Sequence, residues 1–334
     1  MKGKTEAVTV IIPAYNEEES IYTTIKNVEK ILTEAGIDFE IIVVDDGSKD
    51  KTLSIAKEAG ADVISHKKNL GYGASLKTGI SYANHDIIII TDADGTYPAE
   101  YIPEMIEKLK DADMVVGARI GQNVNIPFLR RPAKWFLKEL ASYITGERIL
   151  DLNSGLRAFR RECVEQYFHI LPDKFSFTTT ITVAMLCDGY SVVYIPINYY
   201  KRAGKSKIVP WDFFNFATLV IRLSMLFNPL KVFIPVSFAS ILLGVVKAFL
   251  DILFAFKEAE GFLFASLFTQ EVISPSALIF FIAGLQILLV GMMADGIIRK
   301  FGQHLPRRYK SVAVKFISHL KTPKKNQIKT ETES

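Results

Sequence analysis

The chain has 334 residues, 49% of them apolar, and a formal net charge of +4. That length suits one large domain or two ordinary ones. The basic excess is local: from Arg299 onward ten Lys/Arg face two Asp/Glu, so residues 1–298 are net negative. A tail of this kind excludes a nucleic-acid-binding face, and its Arg299–Lys315 part, directly after an apolar span, fits a membrane-flanking cluster. The two cysteines, Cys163 and Cys187, have no metal-ligand spacing, which argues against a disulfide framework and for a reducing compartment. Met1–Thr9 has no apolar signal core, so the first domain is expected in the cytoplasm.

In chain order, Val8–Pro13 predicts a short strand closed by proline. Asn16 is expected to cap a helix whose first turn holds Glu17, Glu18 and Glu19 and which runs to about Ala35, with Gly36 as its stop. Phe39–Val44 predicts the second strand, ending on Asp45 and Asp46. Thr52–Ala59 predicts a helix, Ala61–His66 a third strand, and Asn69–Gly79 a glycine-rich turn entering a helix. Ile87–Thr91 predicts a strand buried on both faces, because four isoleucines in a row leave no polar side. It stops on Asp92-Ala93-Asp94-Gly95. Tyr101–Lys110 predicts a helix and Met114–Gly117 a further strand. This alternation predicts an α/β, doubly wound sheet with right-handed crossovers.

Beyond Trp211 the text turns strongly apolar. Trp211–Phe227 carries scattered polar residues and reads as an amphipathic interfacial helix, with a buried core helix as the alternative. Two stretches, 234–256 and 273–298, are each long enough to cross a bilayer. The first contains Lys247 and Asp251, spaced to neutralise each other on one face. The segment between them is acidic and the flank after the second is basic, so positive-inside counting places both ends of the hairpin in the cytoplasm.

Three strand ends bring polar groups to one edge of the sheet: Tyr15/Glu17, Asp45/Asp46 and Asp92/Asp94. Asp-x-Asp alone reads equally as a polar turn. Three such sets together fit a nucleotide laid across the sheet, with Mg²⁺ or Mn²⁺ bridging its diphosphate to Asp92 or Asp94. A dinucleotide fingerprint is excluded, because Gly71-x-Gly73 lacks the third glycine and the first strand leads into Pro13-Ala14-Tyr15-Asn16. No P-loop lysine motif is present.

The segments Val10–Glu17, Val44–Ser48, Asn69–Gly73 and Asp92–Gly95, in this order, resemble the inverting family 2 glycosyltransferases of GT-A fold. With the two-span hairpin, the chain is similar to the polyprenyl-phosphate (dolichol-phosphate) hexose synthases. The resemblance implies base and ribose contacts at Pro13, Tyr15, Glu17 and Asp45, with Asp46 the neighbouring candidate. It implies a nucleotide- and metal-binding motif at Asp92, Ala93 and Asp94. Thr96 stands where the mannose synthases of that group often carry glutamine, which leaves GDP- and UDP-hexoses both open. The cation-rich stretch Arg119, Arg130, Arg131, Lys134, Lys138 is either a solvated basic helix or a set of guanidinium forks for an acceptor phosphate. The resemblance favours Arg119 and Arg131. Asp151–Arg160 is similar to the family's segment under the acceptor site, with Gly155 where some relatives place an aspartate base. A lipid phosphate, already charged at neutral pH, needs positioning and not deprotonation. Tyr199–Lys207 resembles the family's lid loop, implying phosphate contacts at Arg202 and Lys207.

The resulting expectation is metal-dependent, inverting transfer of a hexose from a nucleotide sugar to a polyprenyl phosphate. The alternatives are another lipid or glycan acceptor, or a membrane-tethered nucleotide-sugar-binding scaffold without turnover. The expected organisation is a cytoplasmic catalytic domain over 1–208, an interfacial helix over 209–230, two transmembrane helices within 231–300 and a basic cytoplasmic tail over 301–334. Expected partners are the donor, the acceptor and membrane lipids, with no nucleic acid; self-association through the transmembrane helices stays open.

Overall fold

A computed structural model describes residues 7–120, 131–174, 176–200, 212–258 and 273–302. Its centre is a seven-stranded sheet. The strands are β1 (Val8–Ala14), β2 (Phe39–Asp45), β3 (Asp62–Ser65), β4 (Ile87–Ile90), β5 (Met114–Ala118), β6 (Arg157–Arg160) and β7 (Val192–Pro196), in the order β3-β2-β1-β4-β6-β5-β7. The helices are α1 (Ile21–Glu34), α2 (Thr52–Glu58), α3 (Tyr72–Tyr82), α4 (Ile102–Lys108), α5 (Arg131–Thr145), α6 (Arg161–Glu165), α7 (Phe177–Cys187), α8 (Asp212–Phe227), α9 (Leu230–Glu258) and α10 (Pro275–Gly302).

The sheet is buried on both faces, and the strands divide their side chains by the period of two. Ile87 and Ile89 of β4 join the cluster under α1 and α4, while Ile88 and Ile90 join the cluster under α3 and α7. Each isoleucine of the run is 2% exposed or less. β1 has partners on both sides, Ile11 lying beside Ile42 of β2 and Ile90 of β4. The chain thus leaves β1 in opposite directions along the sheet, which opens a crevice at the carboxyl ends.

One strand runs against the other six. β6 runs antiparallel to both β4 and β5, with Ile90 opposite Arg157 and Val116 opposite Arg157. Its four residues, Arg-Ala-Phe-Arg, carry no strand pattern of their own; the open edges of β4 and β5 supply the pairing. Because β6 is reversed, its lead-in, residues 151–156, emerges beside the carboxyl ends of β4 and β5.

The first helix also differs from expectation. Asn16 does not cap it; Asn16 has φ of 54° and lies before a helix that starts at Ile21. Its side-chain oxygen accepts from the Lys49 N–H at 2.9 Å, and its own N–H donates to Ser48 Oγ at 3.0 Å. Asparagine tolerates the left-handed region and turns here to join the β1 and β2 ends.

The glycine-rich turn serves backbone proximity. A Cβ on Gly73 would stand 2.1 Å from the Pro172 carbonyl oxygen. The 172–174 backbone lies against the start of α3, where the Ala74 N–H donates to the Asp173 carbonyl at 2.9 Å.

α8 buries one face and leaves another exposed. Val220, Leu223 and Ser224 are buried against α5 and α7, whereas Ile221, Met225 and Leu226 are more than 40% exposed. α9 and α10 form an antiparallel hairpin, and each is long and apolar enough to cross a membrane, over Leu230–Ala255 and Pro275–Ile298. Ser237 Oγ donates to the Gly284 carbonyl at 2.8 Å and Ser240 Oγ to the Phe280 carbonyl at 2.7 Å. At the far end Asp251 pairs with Lys247 and accepts from the Ser274 N–H at 3.0 Å. At the near end Lys231 Nζ donates to the Tyr143 carbonyl at 3.1 Å, tying the hairpin to α5.

Gly73→Ala is expected to lower stability by about 1–3 kcal/mol through collision with backbone that cannot rotate away. Thermal unfolding of the full chain in detergent reads this as a lower midpoint; an unchanged midpoint would contradict the close approach.

Candidate active site

At the carboxyl edge lies a cleft of about 310 Å³. The β1 end contributes Pro13, Ala14, Tyr15 and Glu17; the β2 end Asp46; the glycine turn Asn69, Gly71 and Tyr72. The β4 end contributes Asp92, Ala93, Asp94 and Tyr97, and the β5 end Arg119. Asn153 and Gly155 come from the β6 lead-in, Thr178 from α7 and Tyr199 from beyond β7. Of the expected site residues, Pro13, Tyr15, Glu17, Asp46, Asp92, Ala93, Asp94 and Arg119 therefore meet in one place. Asp45 stands behind this wall, accepting from the Ser48 N–H at 3.2 Å and Ser65 Oγ at 2.9 Å. Arg131 opens α5, and its side chain lies outside the described residues, as do Arg202 and Lys207.

The Asp-x-Asp segment is tightly held. Asp94 is 7% exposed, and its Oδ1 accepts both the N–H (3.1 Å) and the hydroxyl (2.6 Å) of Thr96. Thr96 is itself fully buried, so it orients Asp94 from behind. Thr24 Oγ1 donates to the Ala93 carbonyl at 3.1 Å, which ties the segment to α1. Tyr72 donates its hydroxyl to Asp92 Oδ1 at 3.0 Å, and burial together with the Asp92 charge pushes that phenol well above its ordinary pKa. On the other side Gly155 faces Asp92 so closely that a Cβ there would stand 2.6 Å from both carboxylate oxygens. Asp92 occupies the room that an absent side chain leaves.

The same cleft is lined by Arg119, which forms a buried ion pair. Arg119 Nε and Nη2 donate to Asp151 at 2.7 and 2.8 Å, and the Arg119 N–H donates to the same carboxylate at 3.1 Å. Burial alone would raise the Asp151 carboxyl, but the Arg119 charge and these donors outweigh it and hold the group at about 2. The Arg119 guanidinium also lies 5.3 Å from the Tyr199 ring centre, within cation–π reach. Asn153, next along the lead-in, accepts from Thr179 Oγ1 at 2.8 Å. Arg157 fixes the lead-in from beneath: fully buried, it donates to the carbonyls of Leu152 and Ser154 at 2.8 Å and to Thr182 Oγ1 at 2.6 Å.

Tyr72, Tyr97, Asn153, Thr178 and Tyr199 were not legible as site residues. Tyr72 and Tyr199 lie inside recognisable segments but carry no charge to mark them, and Thr178 belongs to a helix that no motif marks.

The sequence model of glycosyl transferase family 2 matches residues 9–168. The chain is 32% identical over 206 residues to the dolichyl-phosphate hexose transferase of Haloferax volcanii, covering 61% of this chain and 87% of that protein. It is 31% identical over 207 residues to the undecaprenyl-phosphate 4-deoxy-4-formamido-L-arabinose transferase of an Enterobacter species, covering 60% of this chain and 62% of that protein. Among solved structures it resembles the glucosyl-3-phosphoglycerate synthase of Mycobacterium tuberculosis bound to Mn²⁺, uridine diphosphate and phosphoglyceric acid. The TM-score is 0.54 at 19% identity, over 66% of this chain and 78% of that one. The same synthase with Mg²⁺ and uridine diphosphate also gives 0.54 at 19% identity, over 66% and 79% of the two chains. This chain belongs to the family 2 glycosyltransferases and has their GT-A fold.

The Asp151 carboxyl sits below its ordinary 3.8, so its contribution to stability is complete above that value and is lost as the pH falls towards 2. Unfolding measured from pH 7 to pH 2.5 is expected to show that loss only below about pH 4. Asp151→Asn leaves the Arg119 charge buried without its carboxylate and is expected to cost about 3–5 kcal/mol at pH 7.

Proposed function

We propose that this glycosyltransferase moves a hexose from a nucleotide sugar to a polyprenyl phosphate, with inversion at the anomeric carbon. The observation that carries the reading is the meeting of opposite charges in one cleft, which Asp92, Asp94 and Arg119 all line. A base and ribose are assigned to the β1 and β2 ends, where Pro13, Tyr15 and Glu17 line the cleft and Asp45 and Asp46 stand beside them. The donor's diphosphate is assigned to Asp92–Asp94.

Among the described residues no group of three or more His, Cys, Asp or Glu side chains converges as a metal site. Two carboxylates one residue apart, facing a cleft, suit Mg²⁺ or Mn²⁺, which keep waters and take substrate phosphates as ligands. Such an ion, when bound, neutralises charge on the leaving diphosphate. The protein's own part is geometric: Thr96 points Asp94, while Tyr72 and Gly155 confine Asp92. The acceptor's phosphate oxygen attacks the anomeric carbon as the bond to the diphosphate oxygen breaks, and the electron pair leaves with the nucleotide. No proton has to be removed from such a nucleophile. Asp151 accords with this, because a carboxylate held at about 2 by Arg119 is a poor base at neutral pH. Arg119, oriented by Asp151 and Tyr199, and Arg131 are assigned to the acceptor phosphate, and Arg202 and Lys207 to the diphosphate.

Two apolar helices and relatives named for lipid-phosphate acceptors support a membrane enzyme. We assign residues 1–208 to the catalytic domain, 209–230 to the interface, 231–300 to two spans and 301–334 to the tail. The catalytic domain and both ends are placed on the cytoplasmic side, where the basic flanks favour it.

The test supplies Mg²⁺ or Mn²⁺, labelled UDP- and GDP-hexoses and polyprenyl phosphate, and measures label extracted into the lipid phase. Transfer is expected with one donor, and Asp94→Ala is expected to reduce it at least 100-fold while the fold survives. Undiminished transfer by that variant would remove the metal assignment. Label on a diacylglycerol or a glycan instead would replace the acceptor. Thr96→Val, which keeps shape and loses the hydroxyl donor, is expected to raise the metal concentration for half-maximal activity about 10–100-fold.

A further inference from the structure

A second buried polar assembly lies behind the donor side of the cleft. His66, at the end of β3, has a side chain 9% exposed, and its Nδ1 lies 2.8 Å from Asp46 Oδ1. Its Nε2 lies 3.0 Å from Thr78 Oγ1 on α3. An ionised carboxylate only accepts, so the proton of a neutral His66 belongs on Nδ1, and Nε2 accepts from the Thr78 hydroxyl. The Asp46 carboxylate receives two more donors, the Leu70 N–H on Oδ1 and the Gly71 N–H on Oδ2, both at 2.8 Å. All three protein donors converge on a side chain 5% exposed.

The turn held in this way also touches Gly47, where a Cβ would stand 2.8 Å from the Lys68 backbone, and Asp173, whose carbonyl oxygen would lie 2.5 Å from a Cβ on Gly71. Lys67, Lys68, Asn69 and Leu70 are exposed, with Leu70 at 44%. These four side chains are exposed, so the turn is fixed through its backbone, by the two hydrogen bonds to Asp46 and by these close approaches. Asn69 and Gly71 line the cleft, and the next residue, Tyr72, holds Asp92. The chain of contacts runs from Thr78 through His66, Asp46 and the turn to the carboxylate at the cleft's centre.

We propose that His66 is a positioning residue of the donor site: it fixes the Asp46 carboxylate, which holds the Asn69–Gly71 turn and thereby the Tyr72 hydroxyl on Asp92. On this inference Asp46 serves as an anchor for the wall, and its oxygens are taken up by protein donors. The inference rests on the donor-site reading above, and the test separates the two.

Asparagine at 66 places an amide donor near the Nδ1 position and keeps the Asp46 contact; glutamine places its donor near Nε2 and loses it. Hydrogen exchange of peptides covering 67–72, in the full chain in detergent, reads the turn directly. Calorimetry with UDP and with GDP in the presence of Mn²⁺ reads the site. His66→Gln is expected to speed exchange there and to weaken nucleotide binding about ten-fold, while His66→Asn stays near wild type in both. Equal behaviour of the two variants, whether both intact or both impaired, overturns the proposal. If the wild-type chain binds neither nucleotide, the donor reading fails, and the exchange comparison still decides the role of His66. Should neither His66 variant fold, Thr78→Val decides it: faster exchange at 67–72 supports the role, and unchanged exchange overturns it.

Discussion

The reversal of β6 is the constraint on which the rest of the site depends. A strand parallel to β4 would send its lead-in to the far edge of the sheet. Because Ile90 and Val116 both face Arg157, the 151–156 segment instead arrives at the carboxyl edge. Asp151 then meets Arg119 at the end of β5, and Gly155 meets Asp92 beyond the end of β4. One reversed strand of four residues closes the cleft on the side opposite the glycine turn.

This arrangement places charge in an interior that does not favour it, and the molecule answers with saturation by hydrogen bonds. Arg157 reaches two carbonyls and a hydroxyl, Arg119 takes a bidentate carboxylate, and Asp46 collects three donors. Networks satisfied in this way hold a single geometry, whereas half-satisfied ones are costly. The consequence for function is pre-organisation: Asp92, Asp94 and Arg119 are each fixed by neighbours that make no claim on the chemistry themselves.

The apolar hairpin is coupled to this rigid body through few elements. α8 packs one face on α5 and α7 and leaves Ile221, Met225 and Leu226 open, and α5 touches the start of α9 through Tyr143 and Lys231. α5 also exposes Trp135 and Phe136, side chains suited to the boundary between water and lipid. The proposed acceptor, with its chain in lipid and its phosphate in water, would meet the protein along this seam.

The alternating rhythm, the isoleucine run, the acidic strand ends and the two long apolar helices are all properties of local composition and period, and these the sequence determined by itself. The family motifs around Tyr15, Asp45 and Asp92 were equally legible, because residue type and order carry them. What only the tertiary structure decided are matters of pairing and approach. Arg157–Arg160 has no pattern that marks it as a strand, still less a reversed one, since two neighbouring edges impose it. Asn16 reads as a cap until the β2 end is seen beside it. Of the adjacent acids Asp45 and Asp46 the resemblance puts Asp45 first, yet of the two it is Asp46 that lines the cleft and gathers the amides of a turn some 25 residues on. Thr96, Tyr72 and His66 acquire their roles solely from the atoms they reach, and reach is set by the fold.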